Sequence, residues 1–116
     1  NAMKQNKETI WNETKKFFND NFGKIVLRRE LMKTVSGRNN CKDTYRQMLC
    51  EAGFLEHSGS GKYYVKRMIP DSLTSLLTKR IAYSTKRENW IFWINQKEKI
   101  MEESKKMEEA RVRKSQ

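Results

Sequence analysis

The chain has 116 residues, enough for one compact domain with an appended segment, and only 36% of them are hydrophobic. Lysine and arginine outnumber aspartate and glutamate by 25 to 14, and the formal net charge of +11 favours polyanionic partners, nucleic acid before an anionic membrane. No window approaches the roughly 18 consecutive apolar residues of a membrane span and no secretory signal is found, so we expect a cytoplasmic protein without a membrane partner.

The first predicted element is a helix over residues 7–22. Ile10 and Phe17 recur at helical spacing, and Gly23 is the kind of residue that follows a last helical turn. Residues 24–27 are rich in β-branched side chains, which predicts a brief strand or an extended lead-in.

Two further helices are predicted on either side of a polar turn. The first spans residues 28–35, and the second runs from Asn40 or Cys41 to Ala52 with its apolar residues on one face. The intervening residues 36–40 are rich in turn formers. Two helices joined by a tight polar turn form a helix-turn-helix.

A β-hairpin and a helical arm follow. Residues 54–57 and 62–69 are predicted strands around a glycine-rich turn, and Pro70 closes the second strand because proline cannot donate to a ladder. Beyond it the chain is predicted to be helical, with a new helix that begins near Thr85 and reaches about Arg113.

The order of helix, strand, helix, turn, helix and hairpin resembles the winged-helix family. Residues 43–55, which read DTYRQMLCEAGFL, look like the second helix of its helix-turn-helix running into the first wing strand. Residues 58–64, SGSGKYY, look like the wing turn and its outgoing strand, and the whole is similar to small winged-helix proteins of bacteria and their mobile elements. We therefore expect an α+β, mostly helical fold, with a winged-helix domain over 7–70 and a helical arm over 71–116.

The resemblance implies that the helix ending at Ala52 enters the major groove of DNA and that the wing approaches the backbone. Asparagine and glutamine can bond adenine and arginine can bond guanine, although Asn39 and Asn40 could equally serve only as a turn and an N-cap. Asp43 repels phosphate, so it either reads a cytosine amine or pairs with Arg46. The predicted DNA-binding residues are Arg28, Arg29, Lys33, Arg38, Asn39, Asn40, Lys42, Asp43, Arg46, Gln47, Ser60 and Lys62.

The arm carries more apolar surface than a lone exposed helix tolerates. It must either pack back on the domain or pair with a second copy, and the resemblance favours a homodimer because two-fold symmetry doubles the contact with DNA. The predicted dimerisation residues are Trp90, Trp93, Ile94 and Met101.

We expect no catalytic, metal or cofactor site. Cys41 and Cys50 are nine residues apart, which places them on opposite faces of one helix, so they cannot share a metal or a disulfide. His57 has no acidic partner in register that would help it activate a nucleophile. No ligand-binding domain accompanies the helix-turn-helix, so no small-molecule ligand is expected.

The leading hypothesis is non-enzymatic binding of double-stranded DNA, as a transcriptional regulator or a replication accessory factor. The alternative is a protein–protein interaction adaptor whose basic surface only keeps it soluble, and RNA binding is a more remote third. Cations clustered on one face would favour DNA, whereas an apolar groove there would favour a protein partner.

Overall fold

The computed structural model describes the backbone of residues 7–73 and 86–115, and the side chains of residues 9–73 and 97–112. These ranges form an α+β fold that is mostly helical, as predicted. In chain order the elements are α1 (Lys7–Asp20), β1 (Ile25–Leu27), α2 (Arg28–Thr34), α3 (Asn39–Ala52), β2 (Leu55–His57), β3 (Lys62–Val65), a 3₁₀ turn (Asp71–Leu73) and α4 (Lys86–Ser115). Thr85, near which this last helix was predicted to begin, lies outside the described residues.

The three strands form one antiparallel sheet in the order β1-β3-β2. Val26 lies opposite Tyr63, and both side chains are buried on the inner face of the sheet. Ile25 lies opposite Tyr64, and both side chains are exposed on the outer face. The alternation of buried and exposed residues is the period of two that a half-buried strand requires.

The hydrophobic core lies between the helices and the inner face of the sheet. Trp11 of α1 and Tyr45 of α3 meet edge to face, with ring centroids 5.3 Å apart. Phe18, Leu49 and Phe54 are fully buried around them. Each large side chain removed from water contributes about 1.5–3 kcal/mol to folding, so α3 is held on α1 mainly by its apolar face.

The turn between α2 and α3 passes close to α1 at Gly37. Gly37 has a φ of 108°, and a Cβ atom there would lie 2.6 Å from Cδ1 of Ile10. Only glycine combines that backbone conformation with that closeness of approach. The turn predicted from the polar residues therefore packs the backbone of Gly37 against the side chain of Ile10 in α1.

β3 is shorter than the predicted strand 62–69 and ends at Val65. The amides of Lys66 and Arg67 both donate to the carbonyl oxygen of Phe54, at 3.0 and 3.2 Å, so the strand pairing with β2 stops there. Asn19 of α1 then pairs with both backbone groups of Ile69, accepting from its amide at 2.8 Å and donating to its carbonyl at 3.1 Å. The carbonyl of Phe54 and the side chain of Asn19 thus take the place of a neighbouring strand for these residues.

The C-terminal part of α4 packs back on the domain. Ser104 is fully buried and its hydroxyl donates to the carbonyl of Met68, whose amide donates to Glu108 at 3.1 Å. Arg111 donates to the carbonyl of Asn19, at the end of α1, at 3.0 Å. The packing-back alternative therefore describes this part of the arm.

The predicted dimerisation residues divide between described and undescribed parts of the arm. Met101 is half-buried against the core of its own chain, next to the buried Ile100. The side chains of Trp90, Trp93 and Ile94 lie outside the described residues, so dimerisation through them stays a prediction. No helix in the described ranges is long and apolar enough to span a membrane.

Candidate nucleic-acid interface

The N-terminal turn of α3 presents polar side chains to solvent. The helix begins at Asn39, and Arg38 occupies the N-cap position without a side-chain capping bond. Asn39 and Asn40 are therefore helical residues with exposed side chains, and the role of N-cap considered for them falls to Arg38. Gln47, two turns beyond Asn40, is exposed as well. Three side-chain amides that can each donate and accept hydrogen bonds thus line the exposed part of this helix.

Lys42 is not part of this exposed surface. Only 1% of the residue is exposed, and its ammonium group donates to the carbonyl oxygens of Met32 at 2.9 Å and Val35 at 2.6 Å. These carbonyls lie at the end of α2, where a helix leaves its last acceptors without partners. Burial lowers the pKa of the lysine from its ordinary value. Lys42 therefore fastens α3 to the end of α2, and we leave it out of the candidate interface.

Asp43 accepts hydrogen bonds from two arginines that come from different helices. Arg28, the first residue of α2, donates from Nε at 3.0 Å and from Nη2 at 2.7 Å. Arg46, one turn further along α3, donates from Nε at 3.0 Å. The paired guanidinium of Arg28 lowers the pKa of the Asp43 carboxyl against the opposing effect of burial, and Arg46 adds to the lowering. We call Arg28, Asp43 and Arg46 the arginine–aspartate cluster.

Arg46 is the most enclosed member of the arginine–aspartate cluster. Its guanidinium lies over the ring of Tyr63 from β3, 4.7 Å from the ring centroid, and only 14% of its side chain is exposed. His57 of β2 meets the same ring edge-on at 4.6 Å. A cation over an aromatic face, together with a charge-assisted hydrogen bond, fixes the guanidinium in one orientation.

The turn of the β2–β3 hairpin lies beside the start of α2. The amide of Arg28 donates to the carbonyl of Gly61 at 2.8 Å, while the amide of Lys62 donates to the carbonyl of Gly59 at 3.1 Å. Gly59 and Gly61 have φ values of 127° and 67°, a backbone conformation that favours glycine. Because both residues are glycines, two positions of the turn carry no side chain. Ser60 and Lys62 are exposed on the hairpin. The hairpin turn, the start of α2 and the middle of α3 therefore meet at Arg28.

Arg29, Lys33 and Arg38 are exposed, and no hydrogen bond or ion pair among the described residues joins them to the arginine–aspartate cluster. Their ammonium and guanidinium groups keep the solvent contacts that a phosphate could replace. The structure thus brings together Arg28, Asp43, Arg46 and the hairpin turn, and it places the other cations singly on α2 and in the turn after it.

Comparison of the chain with profiles of known protein families, with curated protein sequences and with solved structures returned no match.

Proposed function

We propose that the chain binds double-stranded DNA as a winged-helix domain, with α3 in the major groove and the β2–β3 hairpin as the wing. The observation that carries the proposal is that three parts of the fold meet at Arg28, the first residue of α2. Its amide donates to Gly61 in the glycine turn of the hairpin, and its guanidinium donates to Asp43 of α3, the helix that carries the exposed amides. A transcriptional regulator or a replication accessory factor would use such a surface.

The dimensions and chemistry of α3 support contact with bases. An α-helix with its side chains is about 10–12 Å across, which matches the roughly 12 Å width of the major groove. The 14 residues of α3 give it a length of about 21 Å. Asn40 and Gln47 lie on its exposed face, and each can bond the edge of adenine with a donor and an acceptor. We assign base contacts to these two amides, to Asn39 and to Arg46, whose guanidinium is held in one orientation by Asp43 and Tyr63.

The exposed cations support contact with phosphates. Arg29 and Lys33 lie on α2, Arg38 is the N-cap residue of α3, and Lys62 follows the hairpin turn. Phosphate contacts of this kind position a protein on a duplex without reading its sequence. The net charge of +11 supplies the long-range attraction.

The solvent-facing side of α3 exposes no large hydrophobic side chain to a protein partner. The large hydrophobic side chains exposed within the described ranges are Ile25, Tyr64 and Val112, and none of them belongs to α3. This favours DNA binding over the adaptor alternative, for which a groove on α3 would be expected.

Two alanine variants test the proposal against a matched control. Arg38→Ala and Lys62→Ala should each weaken binding to every duplex sequence alike and reduce the salt slope by about 1, because each removes one phosphate contact. Lys105→Ala removes an exposed cation from α4 and should change neither quantity. The measurement is fluorescence anisotropy with a labelled duplex of about 25 base pairs at several salt concentrations. Equal losses in all three variants would show that only net charge matters and would contradict the assignment of the surface.

A further inference from the structure

The arginine–aspartate cluster places a carboxylate at the centre of the proposed interface, between the cations of α2 and the hairpin. The Asp43 side chain is 31% exposed, and it lies one helical turn from both Asn40 and Gln47 on α3. A carboxylate in that position repels the phosphates of any duplex that approaches α3. The residue therefore works against non-specific attraction at the centre of the proposed interface.

The same carboxylate accepts hydrogen bonds from two arginines, and these N–H groups are therefore not available to a polyanion. Arg28 gives Asp43 two of its hydrogen bonds, and Arg46 gives a third while its guanidinium stays over Tyr63. Arg28 is the more accessible of the two arginines, with 45% of its side chain exposed against 14% for Arg46. Arg28 is thus held back from phosphates, and Arg46 is held in one orientation.

We propose that Asp43 is a specificity-determining residue. It suppresses binding to arbitrary DNA sequences by keeping Arg28 from phosphates, and it orients Arg46 toward the edge of a base. The proposal rests on the DNA-binding function proposed above. Specificity is the difference between the binding free energies of two ligands. A group that weakens binding of the wrong DNA therefore increases specificity, just as a group that strengthens binding of the right DNA does. An arginine that is already fixed also loses little side-chain entropy when a base accepts its remaining N–H groups.

The test compares Asp43→Asn with Glu51→Gln. Both changes remove one negative charge from α3, but Glu51 is exposed two turns further along and makes no ion pair with any described residue. The probes are a pool of random-sequence duplexes and a single duplex selected from that pool by the unmodified protein.

Asp43→Asn should bind the random pool about threefold more tightly than Glu51→Gln does, because it removes a repelling charge from the interface and frees Arg28. Its preference for the selected duplex over the pool should fall about tenfold, while that of Glu51→Gln stays unchanged. Asp43→Glu keeps a carboxylate within reach of the arginines and should recover part of the preference.

A spectroscopic measurement reports the cluster without DNA. In the NMR spectrum of the free protein, the Nε–H groups of Arg28 and Arg46 should exchange slowly with water, and this protection should be lost in Asp43→Asn and retained in Glu51→Gln. Circular dichroism would establish that each variant is folded.

The outcomes separate the two proposals. If Asp43→Asn and Glu51→Gln change pool affinity and preference equally, or if the arginine Nε–H groups are unprotected, the role assigned to Asp43 is overturned while DNA binding stands. If the unmodified protein does not bind the duplex pool, the DNA-binding function falls and the role of Asp43 falls with it, even where the NMR protection shows the cluster intact.

Discussion

At the scale of single residues, Asp43 binds one arginine from its own helix and one from α2. Asp43 and Arg46 are three residues apart on one helix, and their pairing, one of the two roles considered for Asp43, is present in the structure. Arg28 is separated from Asp43 by 15 positions, so their contact depends on how α2 approaches α3 and could not be predicted. The stacking of Arg46 on Tyr63 depends in the same way on where the hairpin lies.

The burial of Lys42, in contrast to the contact between Arg28 and Asp43, could have been predicted from the sequence. It lies three residues before Tyr45 and seven before Leu49, on the face that becomes the buried side of α3. A lysine on an apolar stripe must bring its ammonium group to an acceptor. We instead expected it to contact DNA because it is a cation near the start of the helix.

The arginine–aspartate cluster predicts a pH dependence of stability. The pKa of Asp43 is lowered in the folded protein from its ordinary 3.8, chiefly by its hydrogen bonds to Arg28. A carboxyl whose pKa is lowered by folding stabilises the fold above its unfolded pKa, and this stabilisation is lost as the pH falls through the folded value. The difference in urea midpoint between the unmodified protein and Asp43→Asn should be constant above about pH 5 and should shrink below about pH 4. A difference that stays constant down to pH 2 would exclude the pairing.

At the scale of elements, periodicity placed the helices and strands of residues 7–69 in the right order but did not place all of their ends. α1 was predicted to reach residue 22 and ends at Asp20, and β3 ends four residues before the predicted limit. The β3 end follows from the bonds that Phe54 and Asn19 make to residues 66–69, which lie far apart in the sequence. Bonds of this kind cannot be predicted from a pattern of apolar residues, because they are made by a backbone carbonyl and a polar side chain.

The joint between α2 and α3 depends on Lys42. Lys42→Met keeps the length of the side chain but leaves the buried carbonyls of Met32 and Val35 without the donor that binds them now. We expect the free energy of unfolding to fall by about 1–3 kcal/mol, the cost of leaving a buried polar group unpaired. Urea denaturation followed by tryptophan fluorescence would measure it.

Lys33→Met is the matched control, since Lys33 is exposed on α2. It should change the free energy of unfolding by no more than about 0.5 kcal/mol. A loss in Lys42→Met as small as that of the control would contradict the buried role of Lys42.

At the scale of the whole molecule, the described part of α4 is joined to the domain through the segment after β3. Met68 is bound by Ser104 and Glu108, while Arg67 lies 3.8 Å from the other carboxylate oxygen of Glu108. The sequence indicated that the arm needs a partner surface, but not which one, because α4 bonds to backbone groups of Met68 and Asn19, and every sequence provides such groups. For residues 100–111 the partner is the chain itself.

Glu108→Ala should loosen this attachment. It removes the acceptor of the Met68 amide, and a hydrogen bond to a charged group contributes about 1.5–3 kcal/mol. Hydrogen exchange at the Met68 amide should therefore speed up at least about tenfold. Glu109→Ala, which changes the exposed neighbour, should leave that rate unchanged. Equal rates in the two variants would mean that Glu108 does not hold the segment.

The central claim is that the surface formed by α3, the start of α2 and the hairpin turn binds duplex DNA through several phosphate contacts. The most direct measurement is the affinity for a duplex of about 25 base pairs as a function of salt concentration. About five to eight phosphate contacts predict a slope of roughly −4 to −7 in a plot of log affinity against log salt. A flat response, or no binding at low salt, would contradict the claim.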